Sequence, residues 1–455
     1  MLIVVFLIIG MYPGVGGEGA QRNIPIYNDK YDNSGFLLPL IYGYWPNLFG
    51  SWLFTLGLLQ ICLYSIGMKF IFDNLGNKFL RLTFIFPYLI GVFFVLQVVR
   101  DATSFSLFVL GLGLIVKGTK LQKKMNTFFN SLSFFCIILG CFFKPILAPI
   151  VALTYLIFIS TFYPKKISFF VKIFLMLLIS ITPYAADKYL TSKLDLRPGY
   201  AEQQLFLYDA AKMYCWGHQS VSKDLAKQAL SPFIHKNSNY ESICASLEPM
   251  AWDHLRVELS DVINSPALTT YTGNDESIIR NLVKNWVSLI LSNPFEWIQL
   301  KVIDSAQVLV MANSFYIEPL LQKDQSNIFL TIGDQVIELL FVPVRVLDKL
   351  RTFSIGASFL LAIIILLSNG RIFRFRNFID LIVVKFLSIV LLTWMMLTFL
   401  YISNPGRYIF PYVFLSYIYM YSAINENINK NFKPKLPDFW RNRIKQSFYV
   451  DNFKE

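Results

Sequence analysis

The chain has 455 residues, with 41 lysines and arginines against 29 aspartates and glutamates, a formal net charge of +12. Hydrophobic residues make up 55% and charged residues 15%, where an ordinary soluble domain carries about 25% charged residues. Together with 43 Phe, these figures exclude a soluble enzyme, a disordered chain and a disulfide-dense mini-domain, and leave an all-α polytopic membrane protein.

A membrane span needs about 20 mainly apolar residues. The stretch 1–11 is short for a span and lacks the basic start of a signal peptide; it is counted as the first span. A juxtamembrane segment around 37–45 precedes a second span over about 51–68. Further spans are expected at 82–99, 102–116, 125–144, 145–164 and around 173–186, then at 352–370, 386–406 and 408–425. That makes ten.

The charges between the spans set the orientation. Lys78 and Arg81 fall on one face, as do Lys117, Lys120, Lys123 and Lys124, then Lys165 and Lys166. Arg371, Arg374 and Arg376 join them, with a tail that includes Lys430, Lys433 and Arg441. Basic short loops stay in the cytoplasm, so both termini are expected there. The opposite face receives four short pieces and one long one. The expected organisation is a membrane bundle over 1–186, an extracytoplasmic loop domain over 187–351, a second bundle over 352–425 and a basic tail over 426–455. Amphipathic stretches at 286–292 and 295–310 are expected along the membrane interface.

The outer face carries the residues with chemistry. The first outer loop, 12–34, holds Glu18 after two glycines, then Asp29 and Asp32. A carboxylate there suits a general base, placed where a lipid-borne substrate meets a water-borne one; a solvated loop would also carry such acids. Arg100-Asp101 joins two spans, and a local ion pair ending two helices is the simpler account of it. Lys144 and Arg407-Tyr408 add cations at outer span ends, where the positive-inside bias disfavours them. Arginine's planar fork bonds phosphate at two points.

Asn293-Pro294-Phe295-Glu296-Trp297 reads as a helix start, with Asn as cap, Pro at the first position and Glu in the first turn. Lys301 follows it as a phosphate candidate. Cys215 and Cys244 are the two cysteines of the outer segment and most simply pair in an oxidising compartment. The rival is a metal site with His218, His235 and His254, whose spacing matches no compact zinc pattern. Cys62, Cys136 and Cys141 lie in spans and read as packing residues.

These residues and their order resemble the GT-C class of integral-membrane glycosyltransferases. Members include protein O-mannosyltransferases, aminoarabinose transferases of lipid A and O-antigen-modifying glucosyltransferases. The likeness rests on Tyr12-Pro13-Gly14 with an acid soon after it, Arg100-Asp101, the Asn-Pro-x-x-Trp segment before Lys301, and Asn404-Pro405-Gly406-Arg407-Tyr408-Ile409-Phe410-Pro411. It implies transfer of a sugar from a polyprenyl-phosphate carrier to a glycan, lipid or protein acceptor of the cell envelope, at the outer face of a bacterial inner membrane. It implies Glu18 as the position of the catalytic acid, with Asp29 and Asp32 as alternatives, and Asp101 as the second acid. Arg407 and Tyr408 match the class's opening of a late span. Arg100, Lys144 and Lys301 would join Arg407 at the donor phosphate. No cofactor and no nucleic-acid partner is expected. A polysaccharide polymerase or ligase, or a transporter of lipid or saccharide, is the alternative.

Overall fold

The structure is a computed structural model, and it describes residues 31–32, 52–76, 78–96, 100–144, 148–163, 168–193, 197–198, 203–218, 220–234, 239–247, 268, 276–310, 355–372, 376–400 and 413–424. The described residues are almost entirely helical. In chain order the helices are α1 (Trp52–Asn74), α2 (Lys78–Leu96), α3 (Arg100–Gly118), α4 (Lys123–Phe143), α5 (Ala148–Phe162) and α6 (Phe169–Lys193). Then come α7 (Gln203–Trp216), α8 (Ser220–Leu230), α9 (Tyr240–Ser246), α10 (Glu276–Ser292), α11 (Pro294–Val310), α12 (Ile355–Ile372), α13 (Arg376–Leu400) and α14 (Val413–Ile424). Two short strands, β1 (Tyr31–Asp32) and β2 (Arg197–Pro198), pair in parallel with Tyr31 opposite Arg197.

Three segments are long and apolar enough to cross a membrane by length and composition: Leu56–Asn74, Lys123–Phe143 and Phe170–Asp187. Shorter apolar helices include Ala102–Gly118, Ala148–Phe162 and Val413–Ile424. An α-helical membrane protein is compatible with this. The helix bounds track the apolar runs because a continuous apolar stretch can satisfy its backbone only within itself when water is absent.

Two bounds differ from the expectation. Arg100 and Asp101 were expected as a turn, but they form the first turn of α3. The helix α13 starts at Arg376, ten residues before the apolar run expected from 386, and takes Asp380 and Lys385 into its length. Isolated charges do not end a helix, since their backbone groups bond like any other; they only interrupt the apolar count.

The helices enclose two hydrophobic cores. The first is built from α1 to α6 and α11 to α14, with Tyr64, Phe105, Phe108, Phe158, Phe414 and Tyr419 fully buried. At its centre α3 packs against α1 on one side and α4 on the other. The approach of α1 to α3 is backbone on backbone. A Cβ on Gly67 would lie 2.6 Å from the carbonyl oxygen of Val109, and one on Gly113 would strike the carbonyl of Gly67. Small residues permit such crossings between helices. Polar side chains within this core bond across it: Gln60 Nε2 donates to Thr103 Oγ1, Ser104 Oγ to Gly140 O at 2.9 Å and Ser133 Oγ to Gly111 O at 2.6 Å.

The second core collects Leu207, Tyr208, Met213, Leu230, Phe233, Ile243, Leu268 and Leu289 from α7 to α10 and the chain between them. Helix α11 belongs to both, with Leu300 in the second core and Val308 in the first. Its far end is held by Trp394 of α13, whose indole donates to Ser305 O at 3.2 Å.

Replacing Gly113 by Val must push α1 and α3 apart. We expect this to cost on the order of 3 kcal/mol, the upper range of overpacking because backbone rather than side chain has to yield. Leu82→Phe, at a side chain 64% exposed, serves as the control. Thermal unfolding in detergent checks it, and equal melting of Gly113→Val and the parent would refute the close approach.

Candidate functional site

The region between α7 and α11 holds four buried charges. Asp209 and Lys212 stand three residues apart on α7, and Lys301 and Asp304 stand three residues apart on α11. Each pair therefore shares a helix face. Their exposures are 2%, 1%, 3% and 1% respectively, so none meets solvent. Lys301 Nζ lies 2.8 Å from Asp209 Oδ1 and 4.0 Å from Asp304 Oδ2. Lys212 Nζ bonds Asp304 Oδ1. Two cations and two anions thus form one connected, electrically neutral cluster.

Aromatic residues wall the cluster and supply further donors. The indoles of Trp286 and Trp297 both donate to Asp209 Oδ2, at 3.2 and 3.0 Å. Both oxygens of Asp209 are thereby engaged. The ammonium of Lys212 lies 4.2 Å from the ring centre of Tyr208 and 5.7 Å from that of Trp216, and Lys301 lies 5.8 Å from that of Trp297. Ring faces attract cations, and more strongly where water is excluded. Asp304 is less well served: its Oδ2 is buried and accepts no hydrogen bond. Burial pushes the Asp304 carboxyl up from its usual range, against the pull of Lys212 and Lys301. Burial likewise pushes the Lys212 ammonium down, against the pull of Asp304.

Local sequence explains how the cluster is held. Pro294 opens α11 one residue after α10 ends, where its missing N–H is not needed. Glu296 in the first turn of α11 accepts the backbone N–H of His218, which ties α11 to the chain just past α7. Between them sits Gly217, where a Cβ would strike the carbonyl of Met213 and come within 3.2 Å of Glu296 Oε1. Cys215 and Cys244 form a disulfide, Cα to Cα 5.4 Å, which fastens the end of α7 to α9. Asn239 caps α9, accepting from Ser242 N at 2.8 Å while Ser242 Oγ accepts from Asn239 N at 3.2 Å.

Of the residues singled out in the sequence, Lys301 enters this cluster, engaged by Asp209 and closed to solvent. Lys144 is 4% exposed at the end of α4, and its backbone N–H donates to Cys141 O at 3.1 Å. Arg100 and Asp101 open α3, and Asp32 lies in β1; their side chains lie outside the described residues. Glu18, Asp29, Arg407, Tyr408, His235 and His254 also lie outside them. Among the described residues no group of three or more His, Cys, Asp or Glu could hold a metal ion. Of the remaining cysteines Cys136 and Cys141 are buried, while Cys62 is exposed.

Asp209, Lys212 and Asp304 are not among the residues that stand out in the sequence by motif or by position at a span end. Their signal was present: an Asp-x-x-Lys and a Lys-x-x-Asp, each set among Leu, Ala, Val, Tyr and Trp. Charges among apolar residues at helical spacing are buried only when paired.

Removing one member strands the others. Lys212→Met alone should cost on the order of 3–5 kcal/mol, whereas Lys212→Met with Asp304→Leu should recover most of that, as buried ion pairs replaced by apolar side chains do. Thermal unfolding of the three proteins tests this. The pH dependence has a defined sign. The folded state binds a proton at Asp304 more readily than the unfolded state does. Lys212→Met, which keeps Asp304 and differs from the double variant at that residue alone, should therefore gain stability relative to the double variant as pH falls from neutral toward the ordinary aspartate range. A gap that moves the other way would show that Asp304 is held ionised.

No protein-family model, curated protein or solved structure matches this chain.

Proposed function

We propose that the protein is an integral-membrane glycosyltransferase of the GT-C kind, with ten spans, both termini in the cytoplasm and residues 187–351 outside. It moves a sugar from a polyprenyl-phosphate donor to an envelope acceptor. The observation that carries this reading is the pairing of Asp32 in β1 with Pro198 in β2. It sets Tyr31 and Asp32 beside Arg197 and Pro198, which lie a few residues before α7 and the buried charge cluster. The Cys215–Cys244 disulfide supports an oxidising, extracytoplasmic side for that region. The basic loops support the opposite side for the rest.

The chemistry is a single displacement. The acceptor hydroxyl oxygen attacks C1 of the sugar as the bond from C1 to the phosphate oxygen breaks, with inversion at C1. Glu18 takes the hydroxyl proton, and the carrier phosphate leaves with its charge held by Arg100 and Arg407, beside Tyr408; Lys144, 4% exposed at the end of α4, stays out of this set. Asp101 orients the acceptor or Arg100. Lys301 stays out of this set because Asp209 engages it inside the protein. The charge cluster has a positioning role, fixing α7 against α11 so that the region keeps its shape over the membrane.

A transporter is the second reading, and Lys385 favours it. This lysine lies within the apolar helix α13 and donates to Thr161 Oγ1 at 3.1 Å, and ionisable groups inside spans often mark transport paths.

Incubation of purified protein with polyprenyl-phospho-sugars and envelope acceptors separates the readings. Glu18→Gln should fold and bind donor but lose about 10²–10⁴-fold in turnover, the usual worth of a positioned base. Arg407→Lys should not restore what Arg407→Ala loses, because a point charge cannot fork. Normal turnover in Glu18→Gln, with Asp29→Asn or Asp32→Asn dead, would move the base. Carrier movement across reconstituted vesicles without sugar transfer, abolished by Lys385→Met, would establish the transporter instead. Labelling of an engineered cysteine at position 235 from the cytoplasmic side would overturn the orientation.

A further inference from the structure

A cavity of about 440 Å³ lies among α4, α5 and α6. Helix α4 contributes Lys123, Asn126, Thr127, Asn130 and Ser131, which recur at steps of three and one and so form a single face, and Phe134 closes that face at its far end. Five polar residues in a row are unusual along a segment otherwise apolar enough to cross a membrane. The opposite wall is Tyr155 and Ile159 of α5 and Tyr163 just past its end, with Leu175 of α6 beside them.

The polar face is organised and incomplete. Asn126 Oδ1 accepts from Asn130 Nδ2 at 2.6 Å and from the hydroxyl of Tyr163 at 3.0 Å. Thr127 Oγ1 donates to Lys123 O at 3.1 Å. The buried Asn130 Oδ1 accepts no hydrogen bond, so the face offers an acceptor to a donor that the protein itself does not bring. At the mouth, α4 begins with two lysines, no acid in its first turn and no side-chain cap from Gln122. That is the reverse of what a helix dipole favours, and an anion there would relieve it. The basic-loop bias accounts for lysines at this end. It does not account for a polar face that runs from Lys123 to Ser131, about 12 Å at the rise of an α-helix.

The outer faces of the flanking helices name the ligand's other half. Phe128 and Phe135 of α4 are 59% and 60% exposed, and Phe174 of α6 is 62% exposed. Such surfaces suit acyl chains. We propose that this cavity binds the headgroup of a glycerol-bearing anionic phospholipid from the leaflet at the basic-loop end. Its phosphate sits at Lys123 and the start of α4, its glycerol hydroxyls bond the Asn126, Thr127, Asn130 and Ser131 face, and Asn130 Oδ1 accepts a hydrogen bond from one of them. Which leaflet this is rests on the orientation proposed above; the binding does not, and it is independent of any sugar transfer.

Native mass spectrometry of the full-length protein in detergent, with phosphatidylglycerol titrated against phosphatidylcholine, tests it. One phosphatidylglycerol should bind in preference. Lys123→Gln should weaken that binding by about fivefold, the worth of one lysine at an anionic surface. Thr127→Val with Ser131→Ala should weaken it by about five- to tenfold through lost hydrogen bonds. All three side chains are exposed enough for folding to be spared, and Asn130→Leu adds a deeper variant where it folds. Equal binding of the two lipids, or unchanged phosphatidylglycerol binding in Lys123→Gln and in the double variant, would overturn the proposal. Displacement of the bound lipid by millimolar inorganic phosphate would also overturn it, in favour of a free-phosphate site.

Discussion

Everything described between α7 and α11 depends on the burial of two lysines and two aspartates at one place. Taking four charges out of water costs several kcal/mol for each ion unless partners replace the lost hydration. Here Asp209 receives Lys301 and two indoles, while Lys212 meets Asp304 and two rings. A small shift of α7 along α11 would leave a charge buried without its partner. Apolar packing alone would tolerate several registers, because hydrophobic contact is non-directional. The cluster therefore selects one register and makes departures from it expensive.

The supporting features act on the same two helices. The disulfide fastens the end of α7, Glu296 ties the next residues to the first turn of α11, and Gly217 lets them come that close. Trp297 has two parts in this, since its indole bonds Asp209 and its ring faces Lys301. The segment Asn293 to Trp297 is thus both a helix start and a wall of the charge cluster. Because α11 continues into the first core through Val308 and meets α13 at Ser305, the position of the cluster is coupled to the apolar bundle.

The apolar bundle is organised by a different constraint. Its helices have similar, nearly featureless surfaces, and the discriminating contacts are small residues and lone polar groups. Gly67 and Gly113 decide where α1 and α3 touch, while Gln60, Ser104 and Ser133 decide which neighbour satisfies them. Polar groups without an internal partner stand out against that background. The amide oxygen of Asn130, at the cavity among α4, α5 and α6, is one of them.

The sequence by itself determined where the helices run. The apolar stretches expected near 125–144 and 145–164 became α4 and α5 with small changes at their ends, while the one near 51–68 became α1, which runs on to Asn74. Local hydropathy suffices there, because a long apolar run has to be helical wherever water is excluded. The pairing of Cys215 with Cys244 was also legible, since residues 187–351 hold just those two cysteines. Lys301 stands out in the sequence as a phosphate candidate, whereas in the structure Asp209 engages it inside the protein. Asp209 is 92 residues away in sequence from it by subtraction of 209 from 301, and nothing in either helix alone says that their faces meet. The start of α13 was missed for a related reason: counting apolar residues stops at Lys385, whereas the backbone continues through it. Only the tertiary structure decided that the charges of α7 and α11 neutralise one another, that β1 lies beside β2, and that the polar face of α4 opens on a cavity. Each of these is a contact between segments distant in the chain, and such contacts are set by the packing of whole helices, which no local pattern encodes.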